Sequence, residues 1–400
     1  MKNEATLKYV RQHADDDVRQ LALTGSKDPE VDMQAALQQI AGLQTARKKL
    51  PTWAACDGIL YPPHLNMEQC SSEQTARYKA RVVGLLERTT PTTLIDLTGG
   101  FGVDFSFIAP LFDKAVYVER QEALCQLAKH NFPALGLSCE VVCADSVDYL
   151  HSLTKATMIF LDPARRDEYG ARTYGISDCT PDVLALRDEL MEKADYVMLK
   201  LSPMLDWRKT VKDLGEQWVR QVHIVSVEGE CKELLVVLSK NGEGLRLICS
   251  NDGEHFEVTS PTRLSSLSSL ARFTSPTIPT SFLYEPNASV MKGGCFAELA
   301  ARFGVSALAQ NSHLFVSDRL ISDFPGRKFR VVAVSSMNKK ELKEKVLPLK
   351  QANITVRNFP LSVAELRKRL KLSEGGSHYL FATTLARDNR VLLVCEKTKN

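Results

Sequence analysis

The stretch Asp96-Leu97-Thr98-Gly99-Gly100-Phe101-Gly102-Val103-Asp104 directly follows an apolar, strand-like run and opens a helix. Glycines at 99, 100 and 102 let the backbone turn tightly and come close to a ligand. Related glycine-rich turns hold the phosphates of dinucleotides, so the glycines alone leave the ligand open. The carboxylate of Asp96, at the strand tip ahead of the glycines, narrows the choice. A pyrophosphate would be repelled there and a cationic group welcomed. The bland alternative is a helix-capping turn with no ligand.

Outward from this turn, strands alternate with helices. Strand-like runs lie at 94–97, 115–119, 139–143, 157–161, 196–201, 222–227 and 233–239, and the main helical candidates are 121–132, 181–193 and 206–217. Near-continuous apolar runs separated by helices predict a parallel sheet covered on both faces. The last two runs are joined only by Glu228-Gly229-Glu230-Cys231-Lys232, which predicts an antiparallel hairpin at the sheet edge. Seven strands ending in a hairpin differ from the six parallel strands of a dinucleotide dehydrogenase. Beyond it, residues 241–280 read as further edge strands and a Ser/Thr-rich linker. The fold class is α/β, with a Rossmann-like seven-stranded domain.

The next three strands each end in an acid at the same sheet edge, around the crevice where such sheets bind ligands. Glu119 is placed for both hydroxyls of a ribose, Asp145 for an adenine amine, and Asp162 begins Asp162-Pro163-Ala164-Arg165-Arg166. Any one of these is compatible with an ordinary loop carboxylate; four at successive strand ends point to a site.

In order and spacing, Asp96-x-Thr98-Gly99-Gly100-x-Gly102, Glu119, Asp145 and Asp162-Pro163 resemble the motifs of class I S-adenosylmethionine-dependent methyltransferases over residues 88–240. Further stretches resemble a bacterial group of these enzymes that carries a C-terminal THUMP-like domain. They are Thr75-Ala76-Arg77-Tyr78-Lys79, Lys200-Leu201-Ser202-Pro203, Leu283 to Lys292, and Phe324-Pro325-Gly326-Arg327. The resemblance implies S-adenosyl-L-methionine as cofactor, held by Asp96, Thr98, Gly99, Gly100, Gly102, Glu119 and Asp145. It also implies an RNA substrate, tRNA or rRNA, because THUMP domains are found on RNA-modifying enzymes.

In base-amine methyltransferases an Asp/Asn-Pro-Pro-aromatic tetrad accepts the two N–H bonds of the target amine and aims its lone pair at the methyl group. Asp162, Pro163 and Arg165 are the corresponding catalytic candidates. The sequence departs from the tetrad: Ala164 stands at the second proline and Arg165 at the aromatic. A guanidinium can stack on a base or hold a phosphate. Arg166 and, in the loop 167–180, Tyr169 and Tyr174 are candidate substrate contacts, with packing inside the loop as the tyrosines' alternative. The loop directly after the fifth strand, Lys200-Leu201-Ser202-Pro203-Met204, holds no cysteine, which disfavours covalent pyrimidine C5 chemistry.

Four hundred residues exceed one ordinary core. Residues 1–87 read as a helical region, with starts at Asp28-Pro29 and at a Ser71/Gln74 capping box. Residues 88–260 form the catalytic domain, 261–326 a linker and small ferredoxin-like or connecting subdomain, and 327–400 a small α+β, THUMP-like domain. From Arg327 to Asn400 there are 17 Lys and Arg against 6 Asp and Glu, a net of +11, whereas the remainder carries −8. A basic unit on an acidic body is the pattern of an appended polyanion-binding module. Lys343 on one helix, and Arg367 and Lys368 on another, are its candidate RNA contacts.

No apolar run suits a signal peptide or a membrane span, and ten scattered cysteines without a CxxC pair suggest neither a disulfide scaffold nor a metal site. The expectation is a cytoplasmic RNA methyltransferase without metal or membrane. The alternatives are methylation of a protein or small molecule, and a non-catalytic cofactor-binding module.

Overall fold

A computed structural model describes residues 3–165, 175–259, 281–385 and 388–398. The chain divides into two compact units, Met1–Arg220 with Leu235–Glu243, and Gln221–Leu234 with Gly244–Asn400.

The strands that carry the glycine turn and the acids are β1 (Thr93–Asp96), β2 (Lys114–Glu119), β3 (Glu140–Cys143) and β4 (Ala156–Leu161). A short ribbon follows, β5 (Ala164–Arg165) with β6 (Cys179–Thr180), and then β7 (Ala194–Leu201), β8 (Val219–Val227), β9 (Glu230–Ser239), β10 (Arg246–Asn251) and β11 (Glu254–Thr259). The main sheet has the order β11-β10-β8-β9-β7-β4-β1-β2-β3. β1 pairs in parallel with β2 and β4, β2 with β3, and β4 with β7. Four strands therefore deliver their C-terminal ends, and the acids on them, to one edge.

All seven expected strands are in this sheet, and the further edge strands expected beyond residue 241 extend it past the hairpin β8–β9. β10 adds in parallel to β8, and β11 adds antiparallel to β10. The apolar run Leu247-Ile248-Cys249 is buried there. Asp252 and Gly253, both with positive φ, make the two-residue turn that returns β11 onto β10.

The N-terminal helices share a core with the sheet. Trp53, Tyr61, Met67, Ala76 and Val83 pack in one cluster with Phe105, Tyr117, Phe132 and Phe160. Two helix starts differ from expectation. Asp28 accepts from the Glu30 amide at 2.9 Å in a local turn, and the helix Met33–Lys49 is capped by Asp32. The helix Glu73–Gly84 is capped by Ser72, not Ser71, whose hydroxyl donates to Asp104 instead.

In the second unit, β12 (Phe282–Pro286), β13 (Ser306–Ala307), β14 (Phe315–Ser317), β15 (Gly326–Ser336), β16 (Asn353–Arg357), β17 (His378–Thr384) and β18 (Arg390–Lys397) form a sheet in the order β13-β14-β12-β15-β18-β17-β16. The helices Lys339–Lys345 and Val363–Leu370 bury Leu342, Leu366 and Leu370 against Leu380 and Leu392, leaving Lys339, Lys340, Lys343, Lys368 and Arg369 exposed. Among the described residues no helix is long and apolar enough to cross a membrane.

Candidate active site

The site begins where β1 stops. Asp96 is buried, and its Oδ1 accepts from the Thr98 amide at 3.0 Å. Gly99 is required by packing: a Cβ there would lie 2.1 Å from the ring of Tyr117, which is itself buried. Gly100 is required by conformation and has space around it. Its φ is +56, and a Cβ would meet nothing nearer than the Thr98 carbonyl at 3.8 Å.

Each acid is fixed by backbone amides or by a cation. Glu119, buried at the end of β2, accepts from the Gly100 amide at 2.9 Å and from the Gln121 amide at 2.8 Å, one on each oxygen. Asp145 is exposed and caps the helix Ser146–Ser152, accepting from the Val147 amide at 2.8 Å. The Asp162 amide donates to Thr98 Oγ1 at 2.6 Å, which ties the end of β4 to the glycine turn. Asp162 Oδ2 in turn accepts from Lys200 Nζ at 2.5 Å.

These groups surround one cavity of about 290 Å³, bordered by Asp96, Gly100, Glu119, Asp145, Asp162 and Lys200. Its remaining wall includes residues 69–71 from the N-terminal region and the Thr180-Pro181 segment. The cavity is rich in negative charge. Burial, and then the nearby carboxylates of Asp104, Asp162 and Glu119, push the Asp96 carboxyl well above its ordinary range. Burial also acts to raise Asp104, but Lys79, Lys200 and the Ser71 hydroxyl outweigh it and hold that carboxyl below the ordinary range. A site of this kind favours a bound cation.

The structure brings Asp96, Thr98, Gly99, Gly100, Gly102, Glu119, Asp145 and Asp162 to this one cavity. Pro163 is buried, and Arg165 pairs through its backbone with Cys179. Arg166, Tyr169 and Tyr174, and the side chain of Arg165, lie outside the described residues. Lys343, Arg367 and Lys368 are on the helices of the second unit, Lys343 and Lys368 exposed and Arg367 half-buried. Sequence reasoning gave no role in the site to Lys200, Asp104 or Lys79, and gave Ser71 only a helix cap. The available signals were a lysine inside the apolar strand β7, and Lys79 spaced with Ala76 and Val83 on the apolar face of its helix.

The THUMP domain-like family matches residues 326–397, and a ferredoxin-like domain family matches residues 282–325. A crystal structure from Porphyromonas gingivalis W83, described as that of a methyltransferase, is 32% identical and covers 100% of both chains with a TM-score of 0.86. Proteins from two Mycobacterium tuberculosis strains, CDC 1551 / Oshkosh and ATCC 25618 / H37Rv, are described as uncharacterized S-adenosylmethionine-dependent methyltransferases. Each is 24% identical over 311 residues, 76% of this chain and 79% of its own length. Together with the α/β fold, these relatives establish that the chain belongs to the S-adenosylmethionine-dependent methyltransferases and carries a THUMP-like domain at its C-terminal end.

Proposed function

We propose that this enzyme methylates a base in RNA, either tRNA or rRNA, with catalysis in residues 88–260 and RNA capture by residues 327–400. The observation that carries the RNA reading is the charge of the THUMP-like segment, +11 on a chain whose remainder is −8.

The cavity residues fit S-adenosyl-L-methionine. Asp96 lies among carboxylates, so a cation near it relieves their repulsion. A carboxylate offers about four acceptor positions, and the two backbone bonds of Glu119 leave it acceptors for ribose hydroxyls. Gly100 keeps the turn free of side-chain bulk. Thr98, Gly99 and Gly102 shape the turn, and Asp145 offers a carboxylate for the adenine amine. When bound, the cofactor supplies an activated methyl group.

The protein's own part is then to position the target. Asp162 accepts an N–H of the base and aims its lone pair, with Pro163 fixing the backbone there. Such orientation can supply up to ~7–11 kcal/mol of a barrier. Arg165 stacks on the base or holds a phosphate. Arg166, Tyr169 and Tyr174 contact the target strand, and Lys343, Arg367 and Lys368 hold the RNA backbone.

The deciding experiment is nucleoside mass spectrometry of total RNA from cells with and without this protein. One methylated nucleoside should disappear with the protein and return when purified enzyme and labelled cofactor are added to that RNA. Identical nucleoside profiles, with label entering protein or small molecules instead, would replace RNA as the substrate class.

A further inference from the structure

Four charged side chains lead from the N-terminal helices to the target end of the cavity. Lys79, on the helix Glu73–Gly84, is completely buried, and its Nζ lies 3.1 Å from Asp104 Oδ1. Asp104 Oδ2 accepts from Ser71 Oγ at 2.7 Å and lies 3.6 Å from Lys200 Nζ. Lys200 Nζ is closest to Asp162 Oδ2, at 2.5 Å. Two ammonium groups therefore alternate with two carboxylates, and Lys79 does not border the cavity.

Burying an ion pair is costly, and well-packed apolar side chains often serve stability equally well. At position 79 the helix already presents an apolar face through Ala76 and Val83. What an ammonium there supplies is a particular placement of charge. Lys200 stands between two carboxylates, 2.5 Å from Asp162 and 3.6 Å from Asp104, and their relative charge sets which of them it lies closer to. With Lys79 beside it, Asp104 is neutralised and Lys200 is left to Asp162. Without Lys79, a buried and uncompensated Asp104 would draw Lys200 away, since attraction between buried charges is little screened.

We infer that Lys200 is the positioning residue of Asp162, and that Lys79, by neutralising Asp104, keeps Lys200 in that role. The inference rests on the reading of Asp162 as the group that accepts the target N–H. With Oδ2 held by Lys200, the target is left to Oδ1, and the carboxylate plane is fixed. Lys79 thereby acts on the reaction through charge, without bordering the cavity.

The test compares Lys200→Met, Lys200→Arg, Lys79→Met and the double variant Lys79→Met/Asp104→Asn. Cofactor affinity is measured by calorimetry, and turnover by label transfer from S-adenosyl-L-methionine to RNA from cells lacking the protein. Lys200→Met and Lys79→Met should keep cofactor affinity and KM but lose kcat on the order of 100-fold, as expected for a reacting group misplaced by about 1 Å. Lys200→Arg should recover much of that loss. The double variant, with no competing carboxylate, should turn over faster than Lys79→Met. In crystals of Lys79→Met, Lys200 should have moved to Asp104, and in the double variant it should be back on Asp162.

Lys200 still on Asp162 in Lys79→Met overturns the inference, as does a double variant as slow as Lys200→Met. If Lys79→Met does not fold, the charge-balanced double variant decides alone, by its turnover and by the position of Lys200. If the unaltered enzyme labels no RNA, the RNA reading fails, and the position of Lys200 in the variant crystals still decides this inference.

Discussion

Glu119 and Gly100 are joined by a hydrogen bond of 2.9 Å that closes the glycine turn onto the end of β2. The second oxygen of Glu119 accepts from Gln121 at 2.8 Å, so one buried carboxylate fixes both the turn and the start of the next helix. The acid expected to read a ribose also builds the surface against which the ribose would lie.

Replacing Glu119 by Gln tests both roles. An amide has one acceptor oxygen, so its NH₂ must face either the Gly100 or the Gln121 amide, donor against donor. Cofactor affinity should fall by about 1.5–3 kcal/mol, the value of hydrogen bonds to a charged group. Calorimetry with S-adenosyl-L-methionine measures it. Unchanged affinity would mean that Glu119 does not reach the ribose and that the turn holds without it.

Asp96 gives cofactor binding a pH dependence of known sign. Its carboxyl is raised by burial and by the carboxylates around it, so it retains a proton more readily than an ordinary aspartate. A bound cation favours the ionised form. Affinity should therefore weaken as pH falls through the raised pKa, and binding should release protons near that pKa. For the free enzyme the same shift means that stability is lost as pH rises through the native pKa, because the unfolded chain ionises first. Titrations in two buffers of different ionisation enthalpy measure the released proton. Equal heats in both would show that Asp96 is already ionised when the cofactor arrives.

What could be read from the sequence follows from what a parallel sheet does. Asp96, Glu119, Asp145 and Asp162 were legible as one site because parallel strands carry their ends to a common edge, whatever the loops between them do. The ion pair of Lys79 with Asp104 was not legible in the same way. It depends on how the helix Glu73–Gly84 packs against the helix that follows the glycine turn, and a lysine at an apolar spacing was the one local sign. Ser71 and Ser72 compete for the same cap, and only tertiary contact with Asp104 decides between them. The extension of the sheet by β10 and β11 was legible as further edge strands ahead of the Ser/Thr-rich stretch, and Asp252-Gly253 between two short runs is the hairpin signal that joins them.

His223, buried on β8, should make the protein acid-sensitive. Burial, and then Arg246 and His255, lower its pKa from 6.5 to about 3. Between those values the unfolded chain binds a proton that the folded chain does not, so stability falls as pH is lowered below 6.5, by up to about 1.4 kcal/mol per unit. From pH 7 to 5 this amounts to about 2 kcal/mol. Urea unfolding at the two pH values should show a loss larger by that amount than in His223→Gln. Parallel losses in both proteins would place the acid sensitivity elsewhere.

Charge reversal on the second unit is the sharpest test of the RNA reading, and the structure dictates which residues to change. Arg367 is a poor choice despite its position in the basic helix, because its Nη1 donates to the Ala352 carbonyl at 3.3 Å and its loss would disturb the fold as well as the charge. Lys345 is similarly tied, donating to the Val334 carbonyl at 2.9 Å. Lys343, Lys368 and Arg369 are exposed, so glutamate at these positions changes the field and little else. Each phosphate contact contributes about 0.7 to 0.9 to the slope of log affinity against log salt. If all three residues hold phosphates, the triple variant should reduce that slope by about 2 to 3 and weaken RNA binding most at low salt. Cofactor affinity should not change, because these side chains act on RNA alone. Unchanged affinity and slope for RNA would remove the two basic helices from the RNA-binding surface.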